Sequence, residues 1–367
     1  MQRREFHFAV LTPAELSQTV SWIASVQRRD GSIPWFEGGN TDPWDHVESA
    51  MALAVGGLRA EAERAYGWLV GVQRPDGSFA DAMRDGEVVD PISDANHVAY
   101  MACGVWHHYL LTGDRGFLES MWPAVQNAVH FVLGLQQPEG HILWKRDPDG
   151  TPGDHALLTG SSCTYLSLRC ALAIAHELGL ERPDWELSVG SLRHALVRLP
   201  HLFAKKDRFS MDWYYPVLGG VLSGAAARAR LNDPRWRARF LVEGRGARCV
   251  SDEPWVTAAE TCELVMSLEL AGLHDDAHQV LEWVQYLRHD DGSYWTGHNY
   301  VEDAHFPEGE RTTWTAGANV LASALLGGDG PVSEVLGGLS LPRGVEPSSA
   351  GASRAEIHDE PVEPVRD

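Results

Sequence analysis

Gln73-Arg74-Pro75-Asp76-Gly77-Ser78 closes an apolar helical run, and the same pattern stands at Gln27-Arg28-Arg29-Asp30-Gly31-Ser32 and at Gln136-Gln137-Pro138-Glu139-Gly140. A degenerate copy follows at Arg288-His289-Asp290-Asp291-Gly292-Ser293. A turn that recurs at the end of successive helices means stacked supersecondary units. Outward from each copy the chain reads as helix almost throughout, with no convincing alternating strand. Thr12-Pro13-Ala14-Glu15 is a helix start, with an N-cap, Pro at the first helical position and a carboxylate at the third. One-sided helices are expected over 16–26 and about 61–73, 117–136, 185–199, 233–242 and 276–288. Small-residue helices, apolar on most sides, alternate with them at about 45–58, 95–111, 160–178, 214–230, 255–271 and 312–326. A helix apolar on most sides is buried, and a one-sided helix covers it. Six inner helices ringed by six outer ones make an all-α (α/α)6 toroid. Residues 1–327 are expected to form this single catalytic domain, and 328–367, rich in Gly, Pro, Ser and acidic residues, a flexible acidic tail.

Thirty basic against fifty-one acidic side chains leave a net charge of −21. Such a surface repels nucleic acid and anionic membrane, whose binding depends on Lys and Arg meeting phosphates. A neutral partner is expected. No apolar run approaches a membrane span, and too little apolar sequence follows Met1-Gln2-Arg3-Arg4 for a signal peptide to be expected there. Five cysteines without a CxxC pair fit reduced thiols in the cytoplasm. Seventeen scattered histidines form no HExxH or spaced Cys/His set, and no nucleotide loop or nucleophile elbow is present. No metal and no cofactor are therefore expected. The oligomeric state is open, a homodimer included.

The connections from inner to outer helices are short, whereas those from outer to inner are long: 28–44, 74–94, 137–159, 200–213, 243–254 and 289–311. Long loops in a compact domain are usually functional, and these six share the face over the inner-helix N-termini. They carry tryptophan beside carboxylate. The pattern suits a sugar, since aromatic rings stack on its C–H face while carboxylates bind hydroxyls and cleave the glycosidic bond. Sugar platforms are expected at Trp35, Trp44, Trp213, Trp255 and Trp295 with Tyr214 and Tyr215. His46, Glu48, Asp94, Asp212, Glu308 and Glu310 are expected to contact substrate. Blander readings stand beside these: Asp45 and Asp94 could each simply cap a helix, and Pro307-Glu308-Gly309-Glu310-Arg311 could be a solvated turn. Glu260 falls inside an apolar helix, where an unpaired carboxylate costs free energy and burial raises its pKa.

The Gln-x-x-Asp-Gly-Ser turns with a following aromatic resemble the repeat of prenyltransferase β subunits and squalene-type cyclases. That resemblance implies a toroid. Ser251-Asp252-Glu253-Pro254-Trp255 lacks the adjacent aspartates of a cyclase acid motif, and Cys262 lacks the partners of a prenyltransferase zinc site. Over about 12–326, the loop order and the tryptophan–acid funnel look like inverting (α/α)6 glycoside hydrolases of the glucoamylase type. More narrowly, the chain is similar to mycobacterial hydrolases of methylmannose polysaccharide. The glucoamylase pattern implies an acid in the third hairpin, where this sequence offers only Asp154-His155. The pair is therefore reassigned to Glu260 as general acid and Asp45 as base, held by His46 or a neighbouring loop; the reverse assignment stays open. The expected activity is inverting, metal-independent hydrolysis of an α-linked, partly methylated oligo- or polysaccharide, with endo action on an α-mannan included. The alternatives are a terpene cyclase or prenyltransferase-like enzyme and a non-catalytic carbohydrate-binding toroid.

Overall fold

The computed structural model describes residues 10–328 and 330–345. Six helices form a closed inner ring: α2 (Pro43–Val55), α4 (Ala95–Thr112), α6 (Leu158–Glu177), α8 (Met211–Leu218), α11 (Ala258–Leu270) and α13 (Thr313–Leu326). Each packs on the next, and α13 packs back on α2. Outside them lie α1 (Pro13–Val26), α3 (Arg59–Val72), α5 (Arg115–Leu133), α7 (Pro183–Arg198), α9 (Gly224–Leu231), α10 (Pro234–Phe240) and α12 (His274–Val284). The division follows composition. Every residue of α6 from Ser161 to Ala175 is buried, whereas α5 buries one stripe through Leu118, Val125, Val129 and Val132. The (α/α)6 toroid is the fold of this chain.

The repeated turn stitches the outer layer together. Gln27, Gln73 and Gln136 each donate from Nε2 to the glycine carbonyl of their own turn and to a carbonyl of the next outer helix: Glu61, Ala124 and Ser188, all at 2.9 Å. Gly31, Gly77 and Gly140 have φ of +99°, +87° and +95°. A Cβ there would stand 2.2, 2.1 and 2.3 Å from the carbonyl oxygens of Arg64, Asn127 and Ser191. Only glycine meets both demands. The fourth copy closes the ring: Gly292 packs on Gln18 of α1, Gln18 Nε2 donates to the Asp290 carbonyl at 2.6 Å, and Arg288 donates to Gln18 Oε1 at 2.7 Å.

Three expectations need correction. The helix expected over 214–230 is two helices, because Pro216 and Gly219-Gly220 end α8 at Leu218. A Cβ on Gly219 would lie 2.3 Å from the Ser162 carbonyl, and one on Gly220 2.3 Å from that of Gly337. Next, the loop 289–311 is not strand-free. Trp295–Asn299 and Ala304–Arg311 form an antiparallel hairpin, and Trp255–Thr257 joins it as a third strand, so α11 starts at Ala258. Pro307, Gly309 and the charged residues Glu308, Glu310 and Arg311 hide the alternation. Last, the chain expected as a tail from 328 is partly packed. Helix α14 (Gly330–Val335) buries Val332 and Val335, Leu336 and Leu341 are buried after it, and Gly337 N donates to the Leu218 carbonyl. Residues 346–367 lie outside the described residues.

Candidate active site

The six long connections are joined to one another by backbone pairing. Thr41 pairs with Met83, Ser93-Asp94 with Lys145-Arg146, Ala156-Leu157 with Phe203-Ala204, and Phe209 with Val250. Trp255–Thr257 pairs with Gly297–Asn299, and Thr313 N donates to the Trp35 carbonyl to complete the circuit. This collar surrounds the N-termini of the inner helices. Two of those helices carry carboxyl groups one turn apart: Asp45 and Glu48 on α2, and Glu260 and Glu263 on α11, with α13 between them in the ring. Two tiers result, Asp45 and Glu260 at the mouth and Glu48 and Glu263 one turn deeper.

Asp42 caps α2. Its Oδ1 accepts from Asp45 N at 2.9 Å and its Oδ2 from Trp35 Nε1 at 2.6 Å. Burial drives the Asp45 carboxyl well above the carboxylate range, and the neighbouring Asp42, Glu48 and Glu263 push it the same way. Glu48 is raised by burial and then by Glu263 and Asp42, and its Oε1 is buried with no hydrogen-bond partner. Glu263 accepts from the hydroxyls of Tyr214, at 2.6 Å, and Tyr215. Those bonds favour its charged form, but burial and the charge of Glu260 outweigh them and lift it to about 8. Glu260 keeps one buried oxygen, Oε2, without a partner. At the side of the mouth His97 Nδ1 lies 2.8 Å from Asp81 Oδ1. Burial opposes its charge, yet Asp94, Asp81 and Asp42 together raise it to about 10, so it is an imidazolium at neutral pH.

The expected residues separate into groups. Trp44 and Glu48 line the axial cavity, with Trp44 stacked on Tyr100 at 4.6 Å, and Asp45 and Glu260 each lie close enough to Glu263 to act on its charge or feel it. Asp94 caps α4 through Asn96 N and His97 N, the bland reading, while also facing His97. Asp212 accepts from Thr159 and lines a neighbouring recess with Asp94. Trp35 holds Asp42. At the rim, Trp255 stacks on Phe306 and Trp295 on His305, both at 4.1 Å. Glu308 and Glu310 line a groove of about 870 Å³ with Trp22, Phe36 and Arg28, outside the axial funnel.

Four expected contacts are committed to partners within the protein. His46 is wholly buried, accepting from Ile33 N and meeting the Ala65 carbonyl, and burial lowers it to about 4. It organises the loop and does not hold Asp45, which Asp42 does. Trp213 is 1% exposed and donates to the Arg230 carbonyl. Tyr214 and Tyr215, buried as well, spend their hydroxyls on Glu263, and Tyr215 also lines the small axial cavity. Sequence reasoning missed Asp42, Tyr100, His97 with Asp81, and above all Glu263. The i, i+3 spacing of Glu260 and Glu263 in an apolar helix was a signal for the last.

No family model matches the chain. It is 52% identical over 337 residues to the MMP endo-(1,4)-3-O-methyl-alpha-D-mannosidase of Mycolicibacterium hassiacum, covering 92% of this chain and 93% of that protein. Among solved structures, a glycosidase variant in complex with glucose superposes with a TM-score of 0.64 at 15% identity, over 86% of this chain and 98% of the other. A D-mannose isomerase superposes with a TM-score of 0.65 at 9% identity, over 85% and 96%. Such distant superpositions establish the toroid alone, and the isomerase beside the glycosidase shows why fold does not fix chemistry. The sequence relationship goes further and sets aside the cyclase and the non-catalytic readings: the chain is a glycoside hydrolase and belongs to the family of the Mycolicibacterium hassiacum endomannosidase.

Proposed function

We propose that the enzyme hydrolyses internal α-1,4 bonds of an O-methylated mannan, with inversion, using Asp45 as general acid and Glu260 as general base. The relative's substrate supports the first part, and the crowding of Asp45 supports the second. Asp45 is buried against three carboxyl groups, so its protonated form is favoured and it can supply the proton for the leaving oxygen. This exchanges the roles expected from sequence. Glu260 then takes a proton from water as that water attacks the anomeric carbon from the opposite face; the glycosidic C–O bond breaks and a new C–O bond forms. Second neighbours in a six-membered ring stand at 120° about its axis. With helices roughly 9 Å apart, inward carboxyl groups on α2 and α11 come within about 6 to 9 Å of each other, room for a substrate carbon and one water. The rim tryptophans Trp255 and Trp295 would stack on flanking sugar units. Five unpaired thiols support a reducing, cytoplasmic setting.

The test is hydrolysis of 3-O-methylated α-1,4-mannooligosaccharides, with and without EDTA, followed by NMR of the first-formed anomer. Inversion that survives EDTA and is lost in both Asp45→Asn and Glu260→Gln is the expected result. A retained anomer, or full activity in either variant, would sink the mechanism.

A further inference from the structure

Beneath the deeper carboxyl tier the ring axis holds a small cavity. It is walled by all six inner helices: Trp44 and Glu48, Tyr100, Cys163 and Leu166, Tyr215 and Leu218, Glu263 and Met266, and Leu321. Its floor is Leu336, delivered by the packed C-terminal segment. The free space is about 10 Å³, room for one methyl- or water-sized group. A water there needs two to four polar partners. The Glu263 oxygens are already engaged by Tyr214 and Tyr215, and the rest of the wall is mostly hydrocarbon; its other polar groups belong to Glu48, to Trp44, whose Nε1 is buried without a partner, and to Tyr100. Glu48, whose Oε1 is buried and unpartnered, lines the same space. In its neutral form, which burial favours, it has one O–H to give.

We propose that this cavity is the recognition pocket for an ether methyl of the mannose unit at the cleavage site, with Glu48 donating to the ether oxygen and Leu336 and Cys163 bounding the methyl. The proposal rests on the reading of the enzyme as acting on an O-methylated mannan. An ether oxygen accepts but cannot donate, which suits a donor such as the neutral Glu48, and its methyl group meets the hydrocarbon part of the wall. A free hydroxyl in its place would leave the hydrocarbon part of the wall uncovered. One methyl in such a pocket discriminates by roughly ten-fold or more.

The experiment is calorimetric titration of the full-length enzyme with methyl 3-O-methyl-α-D-mannopyranoside and methyl α-D-mannopyranoside. Wild type is expected to bind the methylated glycoside about ten-fold tighter. Leu336→Phe, which fills the cavity from below, should bring that ratio close to one, and Cys163→Leu, filling it from the side, should do the same should the first variant fold poorly. Equal affinity in wild type, or an unchanged ratio in a folded filling variant, overturns the proposal. A clear binding preference without any mannan cleavage would instead remove the proposed activity and leave the pocket standing. Cleavage without preference does the reverse.

Discussion

The two ends of the ring axis are built on opposite terms. At the mouth and in the turn below it, Asp42, Asp45, Glu48, Glu260 and Glu263 crowd together, and burial raises Asp45, Glu48 and Glu263. At the far end, hydrocarbon and the buried Arg169 close the ring. Arg169, on α6, is 1% exposed; it donates from Nε to the Pro342 carbonyl and from Nη2 to that of Leu341, each at 2.8 Å, and also to Gly338. A Cβ on Gly338 would stand 2.7 Å from its Nη1. The mouth forgoes stability for chemistry, and the plugged end supplies it.

The largest effect should come from the mouth. Asp45→Asn or Glu260→Gln is expected to lower kcat by about 10³- to 10⁴-fold, while the thermal midpoint holds or rises because a buried ionisable group has gone; a fall in the midpoint would contradict the comparison. At the far end, Arg169→Ala strips a charged donor from three buried carbonyls and should cost about 3 to 5 kcal/mol in denaturant unfolding. Equal stability to wild type would mean that the plug is ornamental.

The pH dependence sharpens the contrast. Glu263 binds its proton more tightly folded, at about 8, than unfolded, near 4.5. Its contribution is therefore complete below about 4.5 and is lost as pH rises through 8, at about 1.4 kcal/mol for each pH unit between. Glu263→Gln should match wild type near pH 5 and exceed it in stability near pH 9. Convergence of the two at high pH would show that Glu263 is not buried as described. The smallest effect belongs to the outer stitching. Gly77→Ala, strained at φ +87° and pressed on the Asn127 carbonyl, should lose about 2 to 3 kcal/mol. No measurable change in melting would place the turn outside the cooperative unit.

The toroid was legible because helical period and burial agree in this sequence. Alternate helices differ in how many sides are apolar, and glycine marks each turn. Where the chain changes rule, reading failed. Proline and paired glycines broke α8, and a hairpin carrying Pro307 and Gly309 gave no alternation to see. At the candidate site, Glu260 drew attention because a carboxylate inside an apolar helix needs a reason, and Asp45 and Glu48 because they follow Trp44 where an inner helix begins. Tyr214 and Tyr215 misled because aromatic residues beside an acid read as sugar platforms, whereas their hydroxyls serve Glu263. His97 acquires its charge from Asp81, Asp94 and Asp42, brought together from separate loops and a helix start, and no local pattern announces that.

The fourth glycine turn has a consequence for the order of events during synthesis. Gln18 and Asp290 are 272 positions apart, so the clasp between α1 and the last hairpin cannot form until nearly the whole chain has left the ribosome. Until then α1 and α13 expose the faces they will share. The enzyme should accordingly mature late and in one cooperative step, with the open hoop as the species most exposed to chaperones and to domain exchange between chains.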